Sequence, residues 1–219
     1  MITKRIDNLT VTVPASYGAE STSVHISSPE DSILLDCGDG FLISMLDTGL
    51  EIPEAVFISH DHPDHFGGLL SLLAYLKIQK VYPRIFYPYG AKGIRMIKDF
   101  FEERYRKGIF RFTPLVRNRE YEFAGFKVIS RKAKHSSFEY PLNSLMFEVF
   151  HGETSVFYSG DTAYFKGIES CVRGKDLALL EGSYEGEDDY LEKIHMNLEK
   201  ARNLGESADD YLIIHKRRF

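Results

Sequence analysis

Apolar residues fall in short runs separated by polar, glycine-containing or proline-containing stretches, and strand-like and helix-like periods alternate along the chain. Residues 23–27 and 33–36 read as two strands joined by the polar turn Ser28-Pro29-Glu30-Asp31, a hairpin that opens the fold. Residues 41–46 then read as a short helix, 55–59 as a buried strand and 69–78 as a helix packed on a sheet. A strand over 84–87 runs through Pro88-Tyr89-Gly90 into a helix with Ile94, Ile97, Phe101 and Tyr105 on one core-facing stripe. From residue 110 onward the period is strand-like: 110–115, 121–123, 126–130 and 145–149 are assigned to a second sheet. Residues 154–158 pair with 145–149 across His151-Gly152-Glu153, which makes His151 an exposed turn residue and not a ligand. A buried strand over 177–180 ends at Glu181, residues 185–189 form an acidic surface loop, and Asn197 caps a helix over 198–204 closed by Gly205. The last strand, 211–214, ends at His215. Two strand-rich halves with helices outside predict an α/β chain, a four-layer αββα sandwich of two mixed sheets forming one domain over 1–219.

Composition narrows the function classes. With 43 % hydrophobic and 27 % charged residues, the 219-residue chain reads as a soluble globular protein. A net charge of −5 supplies no global field that attracts nucleic acid. Cys37 and Cys171 are far apart and form no Cys-x-x-Cys pair, which excludes a disulfide scaffold and a thiolate zinc site and fits a reducing cytoplasm. The charged amino terminus lacks the apolar core of a signal peptide, and the most apolar window, 67–76, is half of what a bilayer span requires. No membrane partner is expected.

Candidate chemistry concentrates in Ser59-His60-Asp61-His62-Pro63-Asp64-His65, directly after the apolar run Ala55-Val56-Phe57-Ile58. His60 and His62, two apart, face one way in an extended segment. Asp64 and His65 follow the turn imposed by Pro63 and face a second point, which suggests two metals. Imidazole nitrogen and carboxylate oxygen suit zinc or a similar borderline ion, with Mn²⁺ or Fe²⁺ as other choices. Upstream, the aspartates of Asp36-Cys37-Gly38-Asp39-Gly40 either cap the following helix or support the metal loop. Three later residues repeat the pattern of a metal-capable side chain just after an apolar strand: His135, Asp161 and His215. Together they make seven candidate ligands.

These strings resemble the metallo-β-lactamase fold superfamily and, within it, ribonuclease Z. His60-Asp61-His62-Pro63-Asp64-His65 matches the His-x-His-x-Asp-His motif, and Asp36-Cys37-Gly38-Asp39-Gly40 and Ser159-Gly160-Asp161-Thr162 resemble two further family segments. The succession Glu181, then His195-Met196-Asn197, then Ile213-Ile214-His215 followed by Arg217 and Arg218, resembles ribonuclease Z in that order. The resemblance implies one metal on His60, His62 and His135, a second on Asp64, His65 and His215, and Asp161 bridging both. It also implies that Asp64 accepts a proton from a water bridging the metals, and that His195, oriented by Glu181, donates one to the leaving group. His135 and Asp161 stand only 26 positions apart, too few for the arm with which ribonuclease Z grips transfer RNA. The expected function is therefore a metal-dependent hydrolase, a phosphodiesterase acting on a compact nucleotide or cyclic phosphodiester, with long RNA disfavoured unless a partner helps and a homodimer left open. A carbon-centred hydrolase of the same fold (lactonase, thioesterase or β-lactamase) is the alternative, and a di-iron redox or non-catalytic binding protein a more remote one. Arg131, Lys132 and Lys134 either contact phosphate or form a solvated strand edge.

Overall fold

The structure, a computed structural model, describes all residues except 15, 18–20, 137–141 and 217–219. Arg217 and Arg218 of the expected carboxy-terminal succession lie outside the described residues. The chain divides into two compact units, Met1–Leu115 and Val116–Phe219.

The first unit contains β1 (Ile2–Ile6), β2 (Leu9–Val13), β3 (Ser16–Tyr17), β4 (Ser21–Thr22), β5 (Val24–Ser27), β6 (Ser32–Leu35), α1 (Phe41–Thr48) and β7 (Ala55–Phe57). It continues with α2 (Pro63–Phe66), α3 (Leu69–Ile78), β8 (Arg84–Pro88), α4 (Lys92–Arg104) and β9 (Arg111–Leu115). Its 7-stranded sheet runs β1-β2-β5-β6-β7-β8-β9, antiparallel as far as β6 and parallel from β6 onward. The switch follows from the connections: short turns join β1 to β2 and β5 to β6, whereas helices carry the chain back between the later strands. Leu34, Val56, Ile58 and Ile85 pack on Phe41 and Met45 of α1, Leu69, Leu72, Leu73 and Leu76 of α3, and Ile94, Ile97 and Phe101 of α4. On the other face Phe57 and Phe86 stack with ring centroids 4.4 Å apart, so these strands are buried on both faces, as parallel strands usually are.

The hairpin 23–36 is present, its turn closed by Ser28 Oγ, which accepts from the amides of Glu30 and Asp31. It does not open the fold. The β1–β2 hairpin precedes it, although Leu9-Thr10-Val11-Thr12-Val13 alternates as a strand should. Two other expectations are corrected. Residues 111–115 pair in parallel with β8 and close the first sheet, so they do not belong to the second. Tyr105 lies beyond the end of α4 and is 44 % exposed, which leaves Ile94, Ile97 and Phe101 as the buried stripe.

The second unit contains β10 (Glu120–Phe123), β11 (Phe126–Lys132), β12 (Leu145–His151), β13 (Thr154–Tyr158), α5 (Ile168–Val172), β14 (Leu177–Glu181), a 3₁₀ turn over Leu191–Lys193, α6 (Leu198–Gly205) and β15 (Tyr211–Ile214). Its 6-stranded sheet follows chain order, antiparallel to β13 and parallel thereafter. Met146, Phe157, Ala178 and Leu180 of the sheet pack on Ile168 and Val172 of α5 and Ala201 and Leu204 of α6. Asn197 caps α6, its Oδ1 accepting from the Glu199 amide at 2.8 Å. Arg131 lies in an interior strand and not at an edge, and its guanidinium donates to Glu148 at 2.6 Å while Lys175 holds the other Glu148 oxygen at 2.9 Å.

Parallel pairing places strand ends side by side. Leu35 pairs with Phe57 in the first sheet, and Glu181 with Ile214 in the second. Asp36, Ser59 and His60 therefore leave one edge of their sheet together, and Asp161, Glu181 and His215 one edge of theirs. Asp36 and His215 both hold a left-handed backbone, with φ of 56° and 53°. Such strain costs about 1–3 kcal/mol and collects where a side chain must point in one direction.

Candidate metal centre

In the first unit, Asp36 decides the arrangement. Its carboxylate is fully buried and accepts from the Ser59 amide at 2.6 Å, the Ser59 hydroxyl at 2.7 Å and His65 Nδ1 at 2.6 Å. Of the two roles expected for this stretch, Asp36 takes support of the histidine loop; α1 begins at Phe41, with Gly40 at its N-cap and no side-chain cap. Close backbone approach holds the two segments together: Cys37 N donates to His65 O at 2.8 Å and Gly68 N to Cys37 O at 3.0 Å. A Cβ on Gly38 would collide with Asp64 O, and one on Gly68 with Gly38 O, so side chains are excluded at both positions. Burial pushes the Cys37 thiol up, keeping it protonated and out of the ligand set.

The side chains of the loop lie in close pairs. His60 Nε2 lies 3.0 Å from His62 Nδ1, and His65 Nε2 lies 3.6 Å from Asp64 Oδ2. Two donors on one tetrahedral ion stand about 3.3 Å apart at ordinary zinc distances, so both pairs fit a shared metal. Asp61, the residue between the first two histidines, points away from them and accepts from the amides of Lys92 at 2.7 Å and Gly93 at 3.0 Å, tying the loop to the start of α4.

In the second unit, donor atoms of Asp161, Glu181, His195 and His215 all lie within 4.8 Å of one another. His135 Nδ1 donates to Ile194 O at 2.6 Å, which directs Nε2 towards Asp161 Oδ2 at 3.9 Å. Burial lowers the His135 pKa, with Asp161 opposing, and so favours the neutral imidazole that a metal requires. Glu181 is fully buried and accepts from the Thr162 amide, the Ser183 hydroxyl and, at 3.0 Å, His195 Nδ1. Three donors already occupy its oxygens, which suits an orienting group better than a metal ligand. Ser183 Oγ also lies 3.0 Å from His215 Nδ1.

The structure thus gathers His60, His62, Asp64 and His65 in one unit, and His135, Asp161, Glu181, His195 and His215 in the other. Sequence reasoning assigned no role to Ser59 or Ser183. The one available signal for Ser183 is its position two residues after Glu181, on the same side of an extended segment. Among the described residues no helix is long and apolar enough to cross a membrane, and Cys37 and Cys171 are unbridged.

A curated ribonuclease Z from Archaeoglobus fulgidus is 28 % identical over 127 residues, a match covering 57 % of this chain and 41 % of that protein. The chain therefore matches less than half the length of that relative. Among solved structures, the metallo-beta-lactamase fold protein YhfI from Bacillus subtilis superposes with a TM-score of 0.82 at 21 % identity, covering 96 % of this chain and 87 % of that one. The short form of human tRNase Z gives 0.77 at 20 % identity, covering 95 % of this chain and 93 % of that one. These likenesses establish the metallo-β-lactamase fold, the α/β class with two mixed sheets expected from the sequence. Residues 31–211 match the beta-lactamase superfamily domain, across both units, and the chain belongs to that family.

Proposed function

We propose that the chain is a metal-dependent phosphodiesterase for compact substrates. In this reading His60, His62 and His135 would hold one divalent ion and Asp64, His65 and His215 a second, with Asp161 shared between them. That grouping comes from the motif resemblance, and the donor geometry inside each unit supports it. Zinc suits the nitrogen and oxygen donors best, with Mn²⁺ or Fe²⁺ as other occupants. When bound, the two ions supply an activated water at neutral pH and a clamp for the oxygens of an in-line displacement.

The chain's own residues do the rest. Asp64 Oδ2, 3.6 Å from His65 Nε2, stands among the donors, where a carboxylate can take a proton from an attacking water. His195 is the proton donor to the leaving oxygen. With Nδ1 held by Glu181 at 3.0 Å, its Nε2 is directed away from the carboxylate and carries the proton outward. This Glu181–His195 pair is the observation that favours phosphate esters, because expulsion of an alkoxide needs an acid. A compact substrate is favoured because the β12–β13 hairpin, turn included, takes up more than half of the short interval between His135 and Asp161, and because the net charge is −5.

The test is a metal-reconstituted sample assayed on a phosphodiester, a lactone, a thioester, a β-lactam and a precursor transfer RNA. Turnover of the small phosphodiester, with the RNA a poor substrate, is expected. Turnover of a carbonyl substrate without the phosphodiester overturns the reaction class, and efficient RNA processing by the isolated chain overturns the substrate size.

A further inference from the structure

One buried carboxylate, one serine hydroxyl and two histidines form the same arrangement in each unit. In the first, Asp36 Oδ2 holds His65 Nδ1 at 2.6 Å and Ser59 Oγ at 2.7 Å, and Ser59 Oγ lies 3.0 Å from His60 Nδ1. In the second, Glu181 Oε2 holds His195 Nδ1 at 3.0 Å and the Ser183 hydroxyl, and Ser183 Oγ lies 3.0 Å from His215 Nδ1. An ionised carboxylate only accepts, so each hydroxyl commits its single proton to it. The hydroxyl oxygen is then an acceptor towards the histidine, which must present Nδ1–H. That leaves the lone pair on Nε2, the nitrogen then available to a metal.

We infer that Ser183 is a positioning residue that fixes His215 as its Nδ1–H tautomer and thereby prepares Nε2 as a ligand. The inference rests on the reading of His215 as a metal ligand. Glu181 acts on both histidines at once, directly on His195 and through Ser183 on His215, so one buried charge orients the proton donor and the ligand together. A second acceptor, Asp161 Oδ1, lies 3.4 Å from His215 Nδ1, a longer contact and one on a residue assigned to the metals. Ser183 Oγ lies 3.4 Å from His195 Nδ1, where the direct carboxylate contact at 3.0 Å is the stronger. Ser183 is 2 % exposed, so no bulk water substitutes for its hydroxyl.

Two readouts on the full-length protein, neither of which needs a substrate, test this. Long-range ¹H–¹⁵N correlation spectra of the metal-free chain report the His215 tautomer, and competition against a chromophoric chelator reports zinc affinity. In Ser183→Ala, His215 should become a tautomer mixture and the weaker zinc site should lose about 10- to 100-fold in affinity, as for other groups that orient ligands. Ser183→Thr keeps the hydroxyl and should restore both. A purely packing role predicts the reverse, with the added methyl perturbing at least as much as the lost hydroxyl. Unchanged tautomer and affinity in Ser183→Ala overturn the inference, as does an Nε2–H tautomer in the wild-type chain, which decides the matter even if the alanine variant does not fold. A wild-type chain that binds no zinc refutes the ligand reading itself, whereas failure to hydrolyse phosphodiesters touches neither readout.

Discussion

Asp36→Asn changes one atom type and, in this structure, reverses a network. The carboxylate serves three donors: the Ser59 amide at 2.6 Å, the Ser59 hydroxyl at 2.7 Å and His65 Nδ1 at 2.6 Å. Asparagine offers one acceptor oxygen and an NH₂ group. If its oxygen serves the Ser59 amide, the NH₂ faces two groups that were donors. The hydroxyl turns to accept, and His65 must carry its proton on Nε2, the nitrogen that would bind the metal. The opposite rotamer sets the NH₂ against the Ser59 amide, a buried donor–donor clash costing about 1–3 kcal/mol. The first arrangement avoids that clash at the cost of a tautomer change and so prevails, and the His65-held ion should weaken by about 10- to 100-fold, or about 1.4–2.7 kcal/mol, the range for lost partners of ligating histidines. Zinc competition titration measures this directly, with thermal unfolding run on the same samples. If Asp36 were instead a helix cap, the loss would be about 1 kcal/mol of stability with zinc affinity intact, and that outcome would refute the account of the loop.

His195→Ala should lower phosphodiester turnover by about 10²- to 10⁴-fold with metal content unchanged, checked by steady-state rates beside elemental analysis; loss of one metal would make His195 a ligand instead. Asp61→Ala should lower stability by about 0.5–2 kcal/mol through the uncapped amides of α4, read by denaturant unfolding, while zinc stoichiometry stays the same. His25, buried in β5 with Nε2 3.0 Å from Glu51 O, has its pKa lowered from 6.5 to about 4 by burial. Between those values the unfolded chain binds more protons, so the stability tied to neutral His25 is present above pH 6.5 and is lost as pH falls towards 4. The loss amounts to about 3 kcal/mol between pH 7 and pH 4, and urea unfolding of wild type against His25→Gln should show it as a flatter acid limb in the variant.

The candidate metal loop stood out because its possible donors lie within six residues after an apolar strand, and the later candidates because each follows a strand end. The role of Asp36 was not decidable locally. Capping and ligand support call for the same residue type, and the choice rests on contacts with Ser59 and His65, 23 and 29 positions away. Ser183 was invisible for a related reason, since a serine acquires a role only from the two groups that its hydroxyl joins. Residues 111–115 showed strand character without showing their partner, because parallel pairing with β8 is arranged by the helix between them. Tyr105 kept the spacing of the α4 stripe but lies past the helix end, where periodicity no longer dictates direction.

The central claim is a two-metal site built from seven residues, and counting zinc per chain tests it most directly. Elemental analysis of protein reconstituted with excess zinc and then freed of unbound ion should give two equivalents per chain, falling in His62→Ala together with activity. No bound transition metal in a sample that still turns over substrate would contradict the account outright.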